Sequence, residues 1–329
     1  MRLNTTSQLA RAQLRANRAF AEAYVPQASP VTSSPRRPRV VVSGFGRFSD
    51  KVTNATGLMV GRLLPGLDYP FTEPPVDGEV DVPGPQLAVA QGTVELPAVG
   101  DVDLCAVVLP VFWDLAAYLL LREIQAFAPQ VVVMNGVAAP RQKLWLELGA
   151  FNRGKDSPDG SGILRPTSPM VELIRGGPEA LENVASWNAI ALASADAIAE
   201  RASVSYEGKR LDDVLRGVAF AGFPRASNTY VCNNTTYVVG RALDRPGEPI
   251  RLLESGDDAV ELRFGTRGGT RPPTVSRWFM HWPSALAGPH LDAAADVLRA
   301  VLAAQLVELA EGRAPTRGDN ALAEIPATP

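Results

Sequence analysis

Cys232, within RASNTYVCNNTTYVVG (225–240), is one of two cysteines in a chain of 329 residues. A cysteine works as a nucleophile when its surroundings stabilise the thiolate and a neighbouring base takes the proton. Otherwise it is a small buried hydrophobe. The apolar run GVAFAGF (217–223) ends at Pro224, a polar RASNTY follows, and CNNTTYVVGRAL has helical spacing. That pattern puts Cys232 at or near a helix N-terminus on the carboxyl edge of a sheet. Backbone N–H groups and the helix dipole there favour a thiolate and could form an oxyanion hole. Placement alone leaves the nucleophilic and the inert reading evenly matched. Cys105, inside the strand-like DLCAVVLP, fits the core reading.

A nucleophile needs a base, and the chain has two histidines. His281 ends the apolar run RWFMHW on the same edge, so it is the natural partner. His290 follows Gly-Pro at the start of the last helix and reads as a surface or capping residue. A third group should orient the imidazole. Glu147, between Leu146 and Leu148 in RQKLWLELGAFN (141–152), is a carboxylate that would be costly to leave unpaired. Phe45 and Phe48, in SGFGRF (43–48), follow the first strand, at the edge where open α/β sheets bind ligands. They suit either a core or a ligand platform. A dinucleotide loop would need a third glycine where Ser49 stands.

From residue 39 the chain alternates short apolar runs with helical ones. Strands are expected at 39–45, 103–111, 130–136, 217–223 and 277–282, with helices at 57–64, 113–127, 182–202, from 232, and 291–312. This predicts an α/β fold: a doubly wound, mostly parallel twisted sheet flanked by helices. Residues 1–38 read as an N-terminal amphipathic helix and a Pro/Ser linker, 39–312 as one domain, and 313–329 as a flexible tail. Two insertions are expected, a Pro/Gly/Asp-rich one at 66–100 and one at 244–275 with a hairpin signal around Gly-Asp-Asp. The net charge of −3 gives no case for nucleic acid or anionic membrane as a partner. Two cysteines suit a reducing cytoplasm rather than a disulfide framework, and two histidines argue against a His-rich zinc site. No apolar run is long enough to span a membrane.

In this order the motifs resemble the pyroglutamyl peptidase I family, cysteine peptidases that remove an N-terminal pyroglutamate. VVVSGFGRF with Asn54 six residues on resembles the family's opening. Arg141, Glu147 and Asn152 match its catalytic-Glu segment. Thr229, Tyr230, Val231, Cys232, Asn233 and Tyr237 match its nucleophile segment, and Phe279, Met280, His281 and Pro283 its histidine segment. The resemblance implies Cys232 as nucleophile, His281 as proton shuttle and Glu147 as the group orienting it. It also implies a site for the pyroglutamyl ring at Phe45, Phe48, Asn54 and Val137, with the two phenyl rings sandwiching the lactam. The implied partner is a peptide or small amide with N-terminal pyroglutamate. No metal or organic cofactor is implied. The family's oligomer contacts leave a homo-oligomer open, and the insertions could block them.

The sequence departs from the family at Val137, where many members carry a lactam-contacting Gln. It departs again at Asp156, at Ser227 and Asn228 in place of Ala-Gly, and at Arg47. The triad is kept while the substrate side is altered. Two alternatives therefore stand beside the peptidase. One is the same Glu-Cys-His chemistry on a different blocked peptide or small amide. The other is a non-catalytic binding homologue.

Overall fold

A computed structural model describes residues 1–29, 37–48, 53–64, 66–67, 82–138, 142–224, 229–265 and 274–324. Among the described residues the main sheet has nine strands. They are β1 (Arg39–Phe45), β2 (Ala88–Leu96), β3 (Gly100–Leu109), β4 (Val131–Ala138), β5 (Leu144–Glu147), β6 (Val184–Ala185), β7 (Val218–Ala221), β8 (Ser276–Pro283) and β9 (Thr316–Arg317). Along the sheet the order is β7-β5-β8-β4-β1-β3-β2, and β6 joins β8 to β9. β1 lies parallel to β3 and β4, β8 parallel to β4, and β7 parallel to β5. β2, β5 and β6 run antiparallel to β3, β8 and β8 respectively.

The central strands are Val-rich runs buried on both faces, as expected of strands covered by helices on each side. Alternate side chains enter two cores. Val41, Val132 and Met134 pack beneath α1 (Gln8–Ala23), α3 (Leu115–Phe127) and α6 (Val231–Asp244). Val40, Val131 and Val133 pack on the other face with α2 (Ala55–Gly61), α4 (Trp187–Arg201), α5 (Leu211–Val214) and α7 (Pro289–Ala310). The doubly wound arrangement predicted from the alternation is present.

Four local expectations change. The stretch 66–100 contains an edge strand, β2, paired with β3 from Ala88↔Val108 to Leu96↔Gly100, so its described second half is scaffold. Glu147, outside the strands expected from the sequence, ends strand β5. Residues 313–324, expected to fray, supply β9 and a 3₁₀ turn at Asn320–Glu324. There Asn320 Oδ1 accepts from Phe223 N at 2.8 Å, and its amide donates to Phe223 O. His290 is buried: its Nε2 lies 3.2 Å from Lys209 O, and its ring meets Tyr206 of the small hairpin Ser205–Tyr206/Lys209–Arg210. A helix start is exposed only if nothing folds over it, and here a hairpin does.

The hairpin expected within 244–275 forms from Pro249–Ser255 and Asp258–Arg263 around Gly256-Asp257. Asp114 docks it. That buried carboxylate accepts from Leu253 N at 2.8 Å and Asn234 Nδ2 at 3.0 Å, and lies 3.4 Å from the Met1 amine. The N-terminal helix packs too, starting at the Ser7 cap and burying Ala10, Gln13, Leu14, Asn17 and Ala21. Beyond it, Glu123 of α3 accepts from Gln27 N at 3.0 Å, Ala28 N at 2.8 Å and the Tyr24 hydroxyl.

Candidate active site

The site is assembled on β8. Phe279 and His281 are two residues apart and share one face of the strand. On the neighbouring antiparallel strand, Glu147 stands opposite Phe279 and Trp145 opposite His281. From there Glu147 reaches diagonally, and its Oε1 lies 2.6 Å from His281 Nδ1. Both are buried, at 1% and 5% exposure, so the contact is shielded from competing water. Asn183 Nδ2 donates to Glu147 O at 2.8 Å and holds the strand end. A carboxylate accepts, so Nδ1 carries the ring proton and Nε2 is left to take one.

On the other side of β8 runs β4, where Gly136 stands opposite His281. A Cβ on Gly136 would lie 2.8 Å from Cys232 Sγ and 2.7 Å from Phe279 Cζ. The thiol therefore rests on the one position of this register that carries no side chain, next to the histidine strand. Glycine inside a strand often marks such a close approach.

Cys232 is the second residue of α6, whose N-cap Tyr230 makes no side-chain capping bond. Helix starts usually recruit Ser, Thr, Asp or Asn there. A helix N-terminus favours an anion. Asn233 fixes the helix against the segment that follows Glu147. Its Oδ1 accepts from Phe151 N at 2.8 Å, and its Nδ2 donates to Phe151 O at 2.7 Å and Arg153 O at 3.0 Å.

A cavity of about 150 Å³ opens beside the thiol, lined by Phe45, Phe48, Asn54, Val137, Tyr230 and Cys232 among others. The residues expected around a bound ring therefore share one pocket. Phe45 is held by its backbone: its N–H donates to Thr56 Oγ1 at 3.2 Å, and that hydroxyl donates to Asn54 Oδ1 at 2.8 Å. Asn54 also caps α2 by accepting from Thr56 N. The helix sits so close to β1 that a Cβ on Gly44 would come within 2.4 Å of Thr56 O. Tyr230 meets Phe48 edge-on at 5.5 Å and Trp113 at 5.1 Å, and its hydroxyl donates to Pro158 O at 2.8 Å. Burial holds the Tyr230 phenol well above its usual range, so it stays a neutral donor.

His281 and Glu147 stand outside the cavity lining. Asn152 is also placed elsewhere: its side chain binds Ile174 and Gly177 and shapes the 174–177 loop. Arg141, Ser227 and Asn228 lie outside the described residues. Asp156 pairs loosely with Arg165 at 3.8 Å on the surface. Cys105 is fully buried, and burial pushes its thiol far up, with the Glu123 carboxylate adding to the effect. It is an inert core residue. Among the described residues, no group of three or more His, Cys, Asp or Glu has the geometry to hold a metal. A larger cavity, about 510 Å³, lies between the N-terminal residues and the hairpin, and its charged lining includes none of these groups.

Over 168 residues, half of this chain and 67% of the relative, the sequence is 30% identical to the pyrrolidone-carboxylate peptidase of Halalkalibacterium halodurans. This chain belongs to the pyrrolidone-carboxylate peptidase family. Solved structures of pyrrolidone-carboxylate peptidases share its fold. Pyroglutamyl peptidase I from Bacillus amyloliquefaciens matches with a TM-score of 0.51 and 16% identity, covering 82% of this chain and 96% of that one. Pyrrolidone carboxyl peptidase from Thermococcus litoralis gives 0.51 and 15%, over 84% and 97%. At such identities the likeness is one of fold. No protein-family model matches the chain. Within this pyrrolidone-carboxylate peptidase family member, the sequence motifs pointed to Cys232, His281 and Glu147 but did not single out Gly136, Asn183 or the ring of Phe279. Gly136 had a signal, a glycine closing the apolar run VVVMNG. Asn183 lies between two strands too short to read, in a stretch expected to open a helix.

Proposed function

We propose that this protein removes an N-terminal pyroglutamyl group from peptides as a cysteine-type omega peptidase. One juxtaposition carries the reading. The Cys232 thiol rests on Gly136, across the β4–β8 ladder from His281, whose other nitrogen is held by Glu147. In this reading His281 Nε2 takes the Cys232 proton and the thiolate attacks the carbonyl carbon joining pyroglutamate to the next residue. The carbonyl electrons move onto oxygen, which the amides opening α6 stabilise. The C–N bond then breaks as His281 returns the proton to the departing amine. Water, with His281 as base, hydrolyses the thioester and releases pyroglutamate. Glu147 keeps its charge throughout and orients the ring.

Phe45, Phe48 and Tyr230 offer aromatic surface to a flat, uncharged lactam, which needs no ion pair. The described residues contain no helix long and apolar enough to cross a membrane, and the two cysteines are not disulfide-bonded. A cytoplasmic location suits such a thiol enzyme.

A second reading keeps the chemistry and changes the acyl group. Val137 favours it, because it lines the cavity where a polar group would meet the lactam amide. The test is fluorophore release from a pyroglutamyl amide by the wild type and by Cys232→Ala. Release that disappears in the variant supports the first reading. No release, with Cys232 still alkylated quickly near neutral pH, supports the second. No release and a sluggish thiol would sink both.

A further inference from the structure

We infer that Phe279 is a positioning residue whose ring polarity stabilises the thiolate–imidazolium pair of Cys232 and His281. The inference rests on the proposed roles of those two side chains. Phe279 is buried, at 1% exposure, and its ring lies 4.6 Å from the His281 ring, centroid to centroid, tilted by 49°. Its far edge points elsewhere. A Cβ on Gly136 would fall 2.7 Å from Phe279 Cζ, 3.0 Å from Cε1 and 2.8 Å from Cys232 Sγ. The phenyl edge and the sulfur thus close on the same spot above Gly136.

A phenyl ring is negative on its face and positive at its edge. Sulfur contacts to aromatic rings favour that edge, and a negative sulfur gains more from it than a neutral one. A cation over the face of a ring, within about 6 Å of its centroid, is attracted to it, and the His281 ring centroid lies 4.6 Å from that of Phe279. One ring can therefore favour the charged form of both partners, with the sulfur near its edge and the imidazolium beside it. A leucine of similar bulk would fill the space without this polarity. Phe279 also stands opposite Glu147 in the β5–β8 register, and the carboxylate reaches past that pairing on the diagonal to His281.

The test reads the thiol directly and needs no substrate. Alkylation of Cys232 by iodoacetamide is followed by mass spectrometry across pH in the wild type, His281→Ala, Phe279→Leu, and a protein carrying 4-fluorophenylalanine at position 279. The fluorine keeps the ring and its packing but turns the para position toward the sulfur negative. We expect the wild-type alkylation midpoint to lie below that of an ordinary cysteine and to depend on His281. Phe279→Leu should move it up by about one pH unit, a roughly tenfold slower reaction near neutrality. The fluorinated ring should move it in the same direction by less. A wild-type midpoint like that of an ordinary thiol, unchanged by His281→Ala, would overturn the proposed site and this inference with it. A lowered, His281-dependent midpoint that the fluorinated ring leaves in place would overturn the inference alone, whatever Phe279→Leu does to packing.

Discussion

Glu147 Oε1 and His281 Nδ1 lie 2.6 Å apart although the two residues are not register partners; the carboxylate crosses the β5–β8 pair on the diagonal. Diagonal neighbours in a sheet are farther apart than direct ones, within reach only of long side chains. An aspartate at 147 would fall short. Glu147→Gln should keep the contact but let the amide hold the wrong tautomer, lowering kcat by roughly 10²–10⁴ with little change in KM. Glu147→Asp should lose activity on a similar scale. Steady-state kinetics with a pyroglutamyl amide checks both, and an active Glu147→Asp would count against the diagonal contact.

Gly136→Ala places a methyl group where sulfur and phenyl edge already meet, 2.8 Å and 2.7 Å away. Overpacking a core site costs ~1–3 kcal/mol. The expected result is a folded protein with a lower Tm and at least tenfold slower Cys232 alkylation. Wild-type alkylation in this variant would show that the thiol does not depend on that position.

The two phenylalanines should separate by role. Phe45 is buried at 3% exposure, so Phe45→Ala should cost ~3–5 kcal/mol of stability, read by denaturant unfolding. Phe48 is only partly buried, with its ring against Tyr230. Phe48→Ala should raise KM about tenfold and leave Tm within a few degrees. Equal effects on stability from both would remove Phe48 from the substrate pocket.

Val137→Gln puts an amide on the cavity wall. If the enzyme acts on pyroglutamyl substrates through a pocket tuned away from the lactam, this change should lower KM for a pyroglutamyl amide several-fold. A rise in KM would mean the apolar wall is part of the native specificity.

Asp159 is buried and accepts from Trp113 N at 3.3 Å and Ser161 N at 3.0 Å. Burial pushes its carboxyl up from 3.8 to about 7, against the pull of those hydrogen bonds. The folded protein therefore keeps a proton that the unfolded chain releases near pH ~4. This contribution to stability is fully present below pH ~4 and is lost as pH rises through about 7. Asp159→Asn removes the dependence. The wild-type Tm minus the variant Tm should be largest near pH 4 and shrink toward pH 8. A difference that stays constant would show that Asp159 ionises normally.

The candidate site was legible in the sequence where chemistry and strand ends coincide. Cys232 after a strand-and-loop and His281 closing an apolar run both declare the sheet's carboxyl edge. Phe45, Phe48 and Asn54 follow from the first strand, and the structure gathers them with Val137 in one pocket. Glu147 was legible as a carboxylate in need of a partner, yet its strand was not, because four residues between loops carry no period. β2 was hidden by its Gly- and Pro-rich surroundings and by being half-exposed at an edge. The docking of residues 316–324 and the burial of His290 depend on partners far away in sequence, which no local pattern reports.

The strand order has a consequence for synthesis of the protein. β5 lies between β7 and β8, so Glu147 meets His281 only after 134 further residues have been made. The Phe223 clasp, nine residues before Cys232, waits for Asn320, 97 residues on. A chain emerging from the ribosome thus carries Cys232 and Glu147 before His281, the carboxylate's partner, has been made. On the proposed roles, a product truncated before His281 would be chemically quiet.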